Sequence, residues 1–294
     1  MGRELGVRHL LEGSVRKSAN RIRIAGQLID AASGAHLWAD CFEGAIEDIF
    51  ALQDQVTASV VGAIAPRLEL AEIERARRKP TESLDAYDFF LRGLASFYKW
   101  TREANEEALH LYYKAIELDA EFSAAYVSAA GCISMRKGFG RAADREKEIA
   151  EARRLARRAV QLGRDDATVL CDAGHTLSYV AGELDDGAAF VDQALLINPN
   201  LAWGWANSGW AKVWLGELDR AIERFAHAMR LSPIDPFIWF MQEGMAHVHF
   251  LRVGMMRPCL GQRWHCEISR MGMAHFASVR QAVRLLGVAR KQRD

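Results

Sequence analysis

The sequence predicts a mainly α-helical protein, a solenoid of stacked helix pairs with a small, partial antiparallel β unit at its N-terminus. Before residue 43, apolar and polar residues alternate with the two-residue period of a half-buried strand. After it, apolar residues recur at steps of three and four, the period of an amphipathic helix. Beyond residue 80, glycine, alanine and proline recur 34 residues apart, which indicates an internal repeat. We therefore expect a β unit (1–43), a connecting helix and linker (44–80), a repeat array (81–250) and a tail (251–294).

The composition is that of a folded chain without a charge bias. Half of the 294 residues are hydrophobic and 26% are charged, which suffices for a core and does not predict disorder. Lys+Arg and Asp+Glu both number 38, so no overall field attracts nucleic acid or an anionic membrane. The cysteines form no CxxC pair, and neither a membrane-spanning run nor a signal peptide is found. These features predict a cytoplasmic protein that neither binds nucleic acid nor inserts into a membrane.

The β unit is expected to contain strands at 9–17, 21–30 and 35–42. In the second of these, Ile22 and Ile24 alternate with Arg21 and Arg23, so one face of the strand is apolar. No second layer for this face is evident, and little sequence precedes it. The β unit is therefore expected to be incomplete.

The segment after the β unit is expected to be one amphipathic helix. Its apolar positions are Ile46, Ile49, Leu52, Val56, Val60, Ile64 and Leu68. Pro66 is expected to kink or divide this helix because proline removes a donor from the hydrogen-bond ladder. The charged run that ends at Pro80 is interpreted as a linker.

The repeat is clearest at residues 202–235, where small, aromatic and turn-forming residues have fixed spacings. Small Gly209 and Ala221 let the two helices of a pair approach, Phe225 fills the gap between them, and Pro233 ends the second helix. Looser copies are predicted at 86–120, 124–163 and 168–201, and a fifth first helix at 235–250. At least three stacked units are needed for a continuous core, and this array exceeds that number.

These positions resemble the tetratricopeptide repeat, at Trp205, Gly209, Gly216, Ala221, Phe225, Ala228 and Pro233. Residues 3–17 and 27–40 resemble the end of the TolB-like amino-terminal domain, whose first half is missing. In bacteria, that domain precedes tetratricopeptide arrays downstream of class III adenylate/guanylate cyclase or winged-helix domains. The resemblance implies a non-catalytic scaffold for protein–protein interaction, as the regulatory or sensory portion of a bacterial signalling protein. Its partner would be a protein segment, or a fused or neighbouring effector domain.

No enzyme signature supports catalysis by this chain. The nucleotide-binding pattern GxxxxGK[ST], the nucleophile elbow GxSxG and the zinc pattern HExxH are all absent, so no catalytic, cofactor-binding or metal-binding residue is predicted. Two alternatives stay open. The chain is either the carboxy-terminal remnant of a nucleotide cyclase that lacks its catalytic domain, or a truncated fragment without a function.

The candidate partner-binding residues are aromatic. By resemblance to the repeat family, the first helix of each pair lines the groove of the solenoid. Trp203, Trp210 and Trp214 are spaced by seven and four residues, so they share one stripe of such a helix. Asp172 and Tyr179 are their expected counterparts one repeat earlier. The stripe is interpreted either as core packing against the neighbouring repeat or as a peptide-binding patch.

The tail departs from the repeat pattern. Residues 251–294 lack helical spacing, and shifting the reading frame by one base restores a repeat-like sequence, so we expect an out-of-frame, poorly ordered tail. Its Cys259, His265, Cys266 and His275 lack the short, regular spacing of a structural zinc site. His247 and His249, two residues apart on a predicted helix, point to different sides of it.

Overall fold

A computed structural model describes residues 7–31, 33–79, 84–140, 144–233, 235 and 237–252. These residues fall into two compact units. The first is drawn from Met1–Arg78 and Arg230–Ile238, and the second from Lys79–Met229 and Trp239–Asp294. The tail beyond residue 252 lies outside the described residues, and so does the frame-shift prediction made for it.

The N-terminal unit contains the predicted three-stranded antiparallel sheet. Its strands are β1 (His9–Ser18), β2 (Arg21–Asp30) and β3 (His36–Ala45), in the order β1-β2-β3. The register places Ile24 of β2 opposite Val15 of β1 and Phe42 of β3. Because paired residues lie on the same side of a sheet, these three side chains share its apolar face.

One long helix supplies the layer that the sequence does not reveal. After a 3-10 turn, helix α1 (Ile49–Arg78) runs without interruption through position 66. Its Leu52 packs with Trp38 and Phe42 of the sheet in a buried cluster. The helix is therefore not divided at Pro66, which leaves a kink as the remaining prediction. The charged run before Lys79, interpreted as a linker, instead forms the last turns of the helix. β1 is covered least, with Val15 70% exposed.

The second unit contains helix pairs, as the repeat predicts. The first four pairs are α2 (Ala86–Phe97) with α3 (Arg102–Leu118), α4 (Ser123–Gly138) with α5 (Arg145–Leu162), α6 (Ala167–Thr176) with α7 (Leu184–Ile197), and α8 (Ala202–Trp214) with α9 (Leu218–Leu231). α10 (Ile238–Arg252) follows as a further first helix. The mainly α fold with a small N-terminal sheet is thus confirmed.

Glycine sets the close approach of the helices within a pair. Phe225 of α9 is fully buried, and a Cβ added at Gly209 of α8 would lie 2.7 Å from its ring. The first pair repeats this arrangement, because a Cβ at Gly93 would lie 2.5 Å from the ring of buried Tyr112. An aromatic ring on the second helix thus occupies the space that a larger residue on the first helix would need.

Side-chain caps fix where several helices begin. Asp85, Thr101, Asp144 and Asp166 each accept a hydrogen bond from a backbone N–H in the first turn of α2, α3, α5 and α6. Such caps satisfy donors that have no partner within the helix. The carboxylate of Asp166, for example, accepts from the backbone N–H groups of Thr168 and Val169. The acidic residues at these helix starts therefore have structural roles.

Candidate functional site

The three tryptophans of α8 differ in burial although they share one stripe. Trp210 is 7% exposed and packs edge-on against Phe225, with ring centroids 5.7 Å apart. Trp203 and Trp214, at the two ends of the helix, are half-buried. The stripe therefore combines a core residue with two rings that retain solvent-exposed surface.

These tryptophans belong to a larger group of rings contributed by three first helices, α6, α8 and α10. We call this group the aromatic cluster. The ring of Tyr179 stacks on Trp214 with centroids 5.8 Å apart and 19° between the planes. Phe240 of α10 lies 4.9 Å from Trp203 and 5.4 Å from Trp210. These separations are those of favourable aromatic pairs. The members of the aromatic cluster are His175, Tyr179, Trp203, Trp210, Trp214 and Phe240.

A carboxylate lies at one edge of the aromatic cluster. The indole N–H of Trp203 donates to the carboxylate of Asp172 at 2.6 Å. Burial raises the pKa of Asp172 to about 6, the hydrogen bond from Trp203 opposes this rise, and the charge of Asp166 adds to it. Asp172 is therefore a carboxylate held in a poorly solvated place by one specific donor.

A turn of π-helix carries Tyr179. Residues Leu177–Ala181 extend α6 as a π-helical turn, which ends at Gly182 with a φ of 75°. Gly174 and Gly182 are eight residues apart, whereas the corresponding Gly209 and Gly216 of the next repeat are seven apart. A π-helical turn accommodates one residue more than the α-helical turn that it replaces. The π-helical turn at Leu177–Ala181 therefore accommodates the extra residue.

The π turn brings Tyr179 against a buried lysine. The ammonium of Lys137, on α4, lies 4.7 Å from the centroid of the Tyr179 ring and donates to the backbone carbonyl of Tyr179. Burial and the charge of Arg145 lower the pKa of Lys137 to about 7. Burial and the charge of Lys137 also lower the pKa of His175 to about 4, so this imidazole is neutral at physiological pH.

A second carboxyl group reaches this region from α10. Glu243 lies between Phe240 and His247 at helical spacings of three and four, and both neighbours contact Trp210 of α8. Burial raises the pKa of Glu243 to about 7. Burial, together with the charge of Glu243, raises the pKa of Tyr179 to about 12. Glu243 therefore lies on the side of α10 that faces the aromatic cluster.

The structure thus brings together all five predicted partner-binding residues and places four further residues beside them. Asp172, Tyr179, Trp203, Trp210 and Trp214 lie in or beside the aromatic cluster. The additional residues are Lys137, His175, Phe240 and Glu243. For His175 alone the sequence contains a signal: the spacing of eight between Gly174 and Gly182 reveals an inserted residue and hence an altered helix at this repeat.

The other candidates from the sequence form no site among the described residues. His247 is buried against Trp210, whereas His249 is exposed, so the two point to different sides of α10. In the described part of the chain, no three His, Cys, Asp or Glu side chains are placed to hold a metal ion. The cysteines and histidines of the tail, between 259 and 275, lie outside it. No described helix combines the length and apolarity needed to cross a membrane.

Comparison with known sequences links part of the chain to a named relative. No family model matches. Over 128 residues, 44% of this chain, the sequence is 41% identical to a protein of Rhizobium meliloti (strain 1021) named "Putative adenylate cyclase 3". The match spans only 22% of that relative's length. The comparison therefore relates this chain to a piece of a longer protein.

Comparison with solved structures identifies the fold of the helical part. TTC0263, a thermophilic tetratricopeptide repeat protein of Thermus thermophilus, is matched over its full length and 67% of this chain, with a TM-score of 0.51 and 17% identity. The human IFIT1 dimer solved with m7Gppp-AAAA is matched over 48% of its chain and 80% of this one, with a TM-score of 0.52 and 16% identity. The helix pairs therefore form a tetratricopeptide-type array, as the sequence predicts.

Proposed function

We propose that this chain is a non-catalytic scaffold that binds an extended protein segment on the face formed by the aromatic cluster. The observation that carries the proposal is the position of Trp203, Trp214 and Tyr179. These half-buried rings lie on the first helices of successive pairs, the helices that line the groove in the tetratricopeptide fold.

The chemistry of this face suits a peptide ligand. Aromatic rings give large contact areas at a small entropic cost, and they dominate the binding energy of many protein interfaces. Here Trp210 supports the outer rings from the core, and Phe240 holds Trp203 in place from α10. The carboxyl groups of Asp172 and Glu243 provide the few polar positions that would fix the register of a bound segment.

Selection from a phage-displayed library of random dodecapeptides, with the full chain as bait, tests the proposal. We expect captured peptides, and we expect Trp214→Ala to lose most of this capture because a central ring is removed. The matched control is Trp205→Ala. Trp205 lies outside the aromatic cluster, against His227 and Arg224. Both variants must keep the helical circular dichroism of the parent chain. Failure of the parent chain to capture any peptide contradicts the proposal.

We further propose that the array is the regulatory or sensory portion of a bacterial signalling protein and acts in the cytoplasm on a fused or neighbouring effector domain. The sequence identity to one part of a protein named as an adenylate cyclase supports this context. The test is to sequence the genomic locus on both sides of the coding region. An adjoining cyclase or winged-helix domain in frame would support the proposal. Its absence from both sides and from the neighbouring genes would contradict it.

A further inference from the structure

We propose that the aromatic cluster and Glu243 together recognise a basic side chain, arginine or lysine, of the bound protein segment. This inference rests on the proposed function and specifies the chemistry of the partner. It assigns Glu243 the role of charge partner for the incoming cation, and Trp214 and Phe240 the role of aromatic walls.

The placement of Glu243 is the first observation. Its neighbours on the same side of α10, Phe240 and His247, both lie within 5.6 Å of Trp210 between ring centroids, so Glu243 faces the first helices of the preceding pairs. Burial and, after it, the charge of Glu243 raise the pKa of Tyr179. Among the described residues, no hydrogen-bond donor or cation pairs with its carboxyl group. A half-buried carboxylate in this position is stabilised when a cation binds beside it.

The aromatic walls are the second observation. Trp214 and Phe240 are half-buried and keep ring surface exposed to solvent, and both contact the ring of Trp210. The ring of Tyr179 is already in contact with Trp214 and with the ammonium of Lys137. Ring faces attract cations, and a guanidinium group can stack on them while its N–H groups bind a carboxylate. The molecule already contains one example of this chemistry, since the ammonium of Lys137 lies over the ring of Tyr179.

The charges favour a basic residue over an acidic one. The ammonium of Lys137 is occupied by the ring and the carbonyl oxygen of Tyr179, so binding an anion would require breaking these contacts. His175 is neutral at physiological pH and would add no positive charge for an anion. Asp172 supplies a second carboxylate at the edge of the same cluster. A cation therefore finds the carboxyl group of Glu243 and the exposed ring surfaces of Trp214 and Phe240 without displacing a described hydrogen bond.

The experiment uses the same peptide selection with two baits, the full parent chain and its Glu243→Gln variant. We expect peptides captured by the parent chain to share an arginine or lysine next to apolar residues. We expect the variant to capture peptides without this preference. Glu223→Gln is the matched control, because Glu223 is exposed on α9, and it should retain the preference. Circular dichroism verifies that each bait is folded.

A double-mutant cycle then tests direct pairing. The basic residue of a captured peptide is replaced by glutamine, which we expect to weaken binding to the parent chain about tenfold or more. The same replacement should change binding to Glu243→Gln by much less. Captured peptides that are not enriched in basic residues, or equal losses on both chains, overturn this inference and leave the scaffold proposal intact. A parent chain that captures no peptide overturns both.

Discussion

Trp203 and Asp172 join two successive first helices of the array. The indole N–H of Trp203, on α8, donates to the carboxylate of Asp172, on α6, at 2.6 Å. Burial disfavours the charged form of Asp172, and this bond offsets part of the cost. The pair therefore has a structural role, between neighbouring repeats, in addition to its place in the proposed binding face.

Replacing Trp203 by phenylalanine should destabilise the array by about 1–3 kcal/mol, because a half-buried carboxylate loses its donor while a ring is retained. Urea unfolding followed by circular dichroism measures the change in the free energy of unfolding. Trp205→Phe is the matched control: Trp205 is also half-buried, but the bond that it loses, to the carbonyl of Pro199, is exposed to solvent, so the effect should stay within about 0.5 kcal/mol. Equal effects of the two substitutions would show that the bond to Asp172 contributes no more to the free energy of unfolding than the bond to Pro199.

Most of the fold could be predicted because periodicity reports which face of an element is apolar. The two-residue period gave the strands, and the fixed spacing of residues such as Gly209 and Phe225 gave the helix pairs. Periodicity does not report what covers an apolar face. The packing of α1 on the sheet, through Leu52 against Trp38, depends on tertiary contacts that no local pattern encodes.

The site was only partly predictable for a related reason. Spacing shows that Trp203, Trp210 and Trp214 share a stripe, but their different burial depends on how α10 packs against α8. The assignment of counterparts one repeat earlier depends on register, and the inserted residue before Gly182 changes that register within α6. Phe240 and Glu243 were missed because a first helix without its partner helix gives a weak repeat signal.

Gly174→Ala should destabilise the array although alanine favours helices. A Cβ at Gly174 would lie 2.5 Å from the backbone oxygen of Gly187 on α7, so the two helices must move apart. Overpacking of this kind costs about 1–3 kcal/mol. Gly131→Ala is the control, because its Cβ would meet only the ring of Phe97 at 4.0 Å. That substitution should stabilise α4 by about 0.5–1 kcal/mol. Urea midpoints that shift in the same direction for both variants would contradict the close approach at Gly174.

Glu243 should make the stability of the array depend on pH. Its pKa in the folded chain is about 7, above the ordinary value of 4.5, so between these values the folded state retains a proton that the unfolded state releases. Protonated Glu243 therefore stabilises the folded state fully below about pH 4.5, and this stabilisation is lost as the pH rises towards 7. The loss is on the order of 3 kcal/mol.

Glu243→Gln isolates this contribution. Asp172, whose pKa is also raised, changes stability in the same direction as Glu243, whereas His175, with a lowered pKa, loses stability as the pH falls from 6.5 towards 4. Lys137, with a pKa lowered to about 7, acts mainly above that pH. These groups are common to both chains. The stability difference in favour of the variant should therefore grow from pH 5 to pH 7.5 in urea unfolding. A constant difference across that range would mean that Glu243 is well solvated.

Deleting Tyr179 should convert the π turn into regular α-helix, because the spacing from Gly174 to Gly182 then becomes seven, as in the next repeat. We expect the free energy of urea unfolding to be no lower than that of the parent chain. Peptide capture should be lost, since the deletion removes the ring that stacks on Trp214 and lies under the ammonium of Lys137.

Tyr179→Phe is the control, which keeps the π turn and the ring and should retain capture. A deletion variant that is folded and still captures peptides would show that the extra residue is a neutral insertion. A deletion variant that unfolds at a lower urea concentration would show that the extra residue stabilises the fold. A π turn that lowers local stability yet is required for binding is the pattern expected when backbone irregularity serves function.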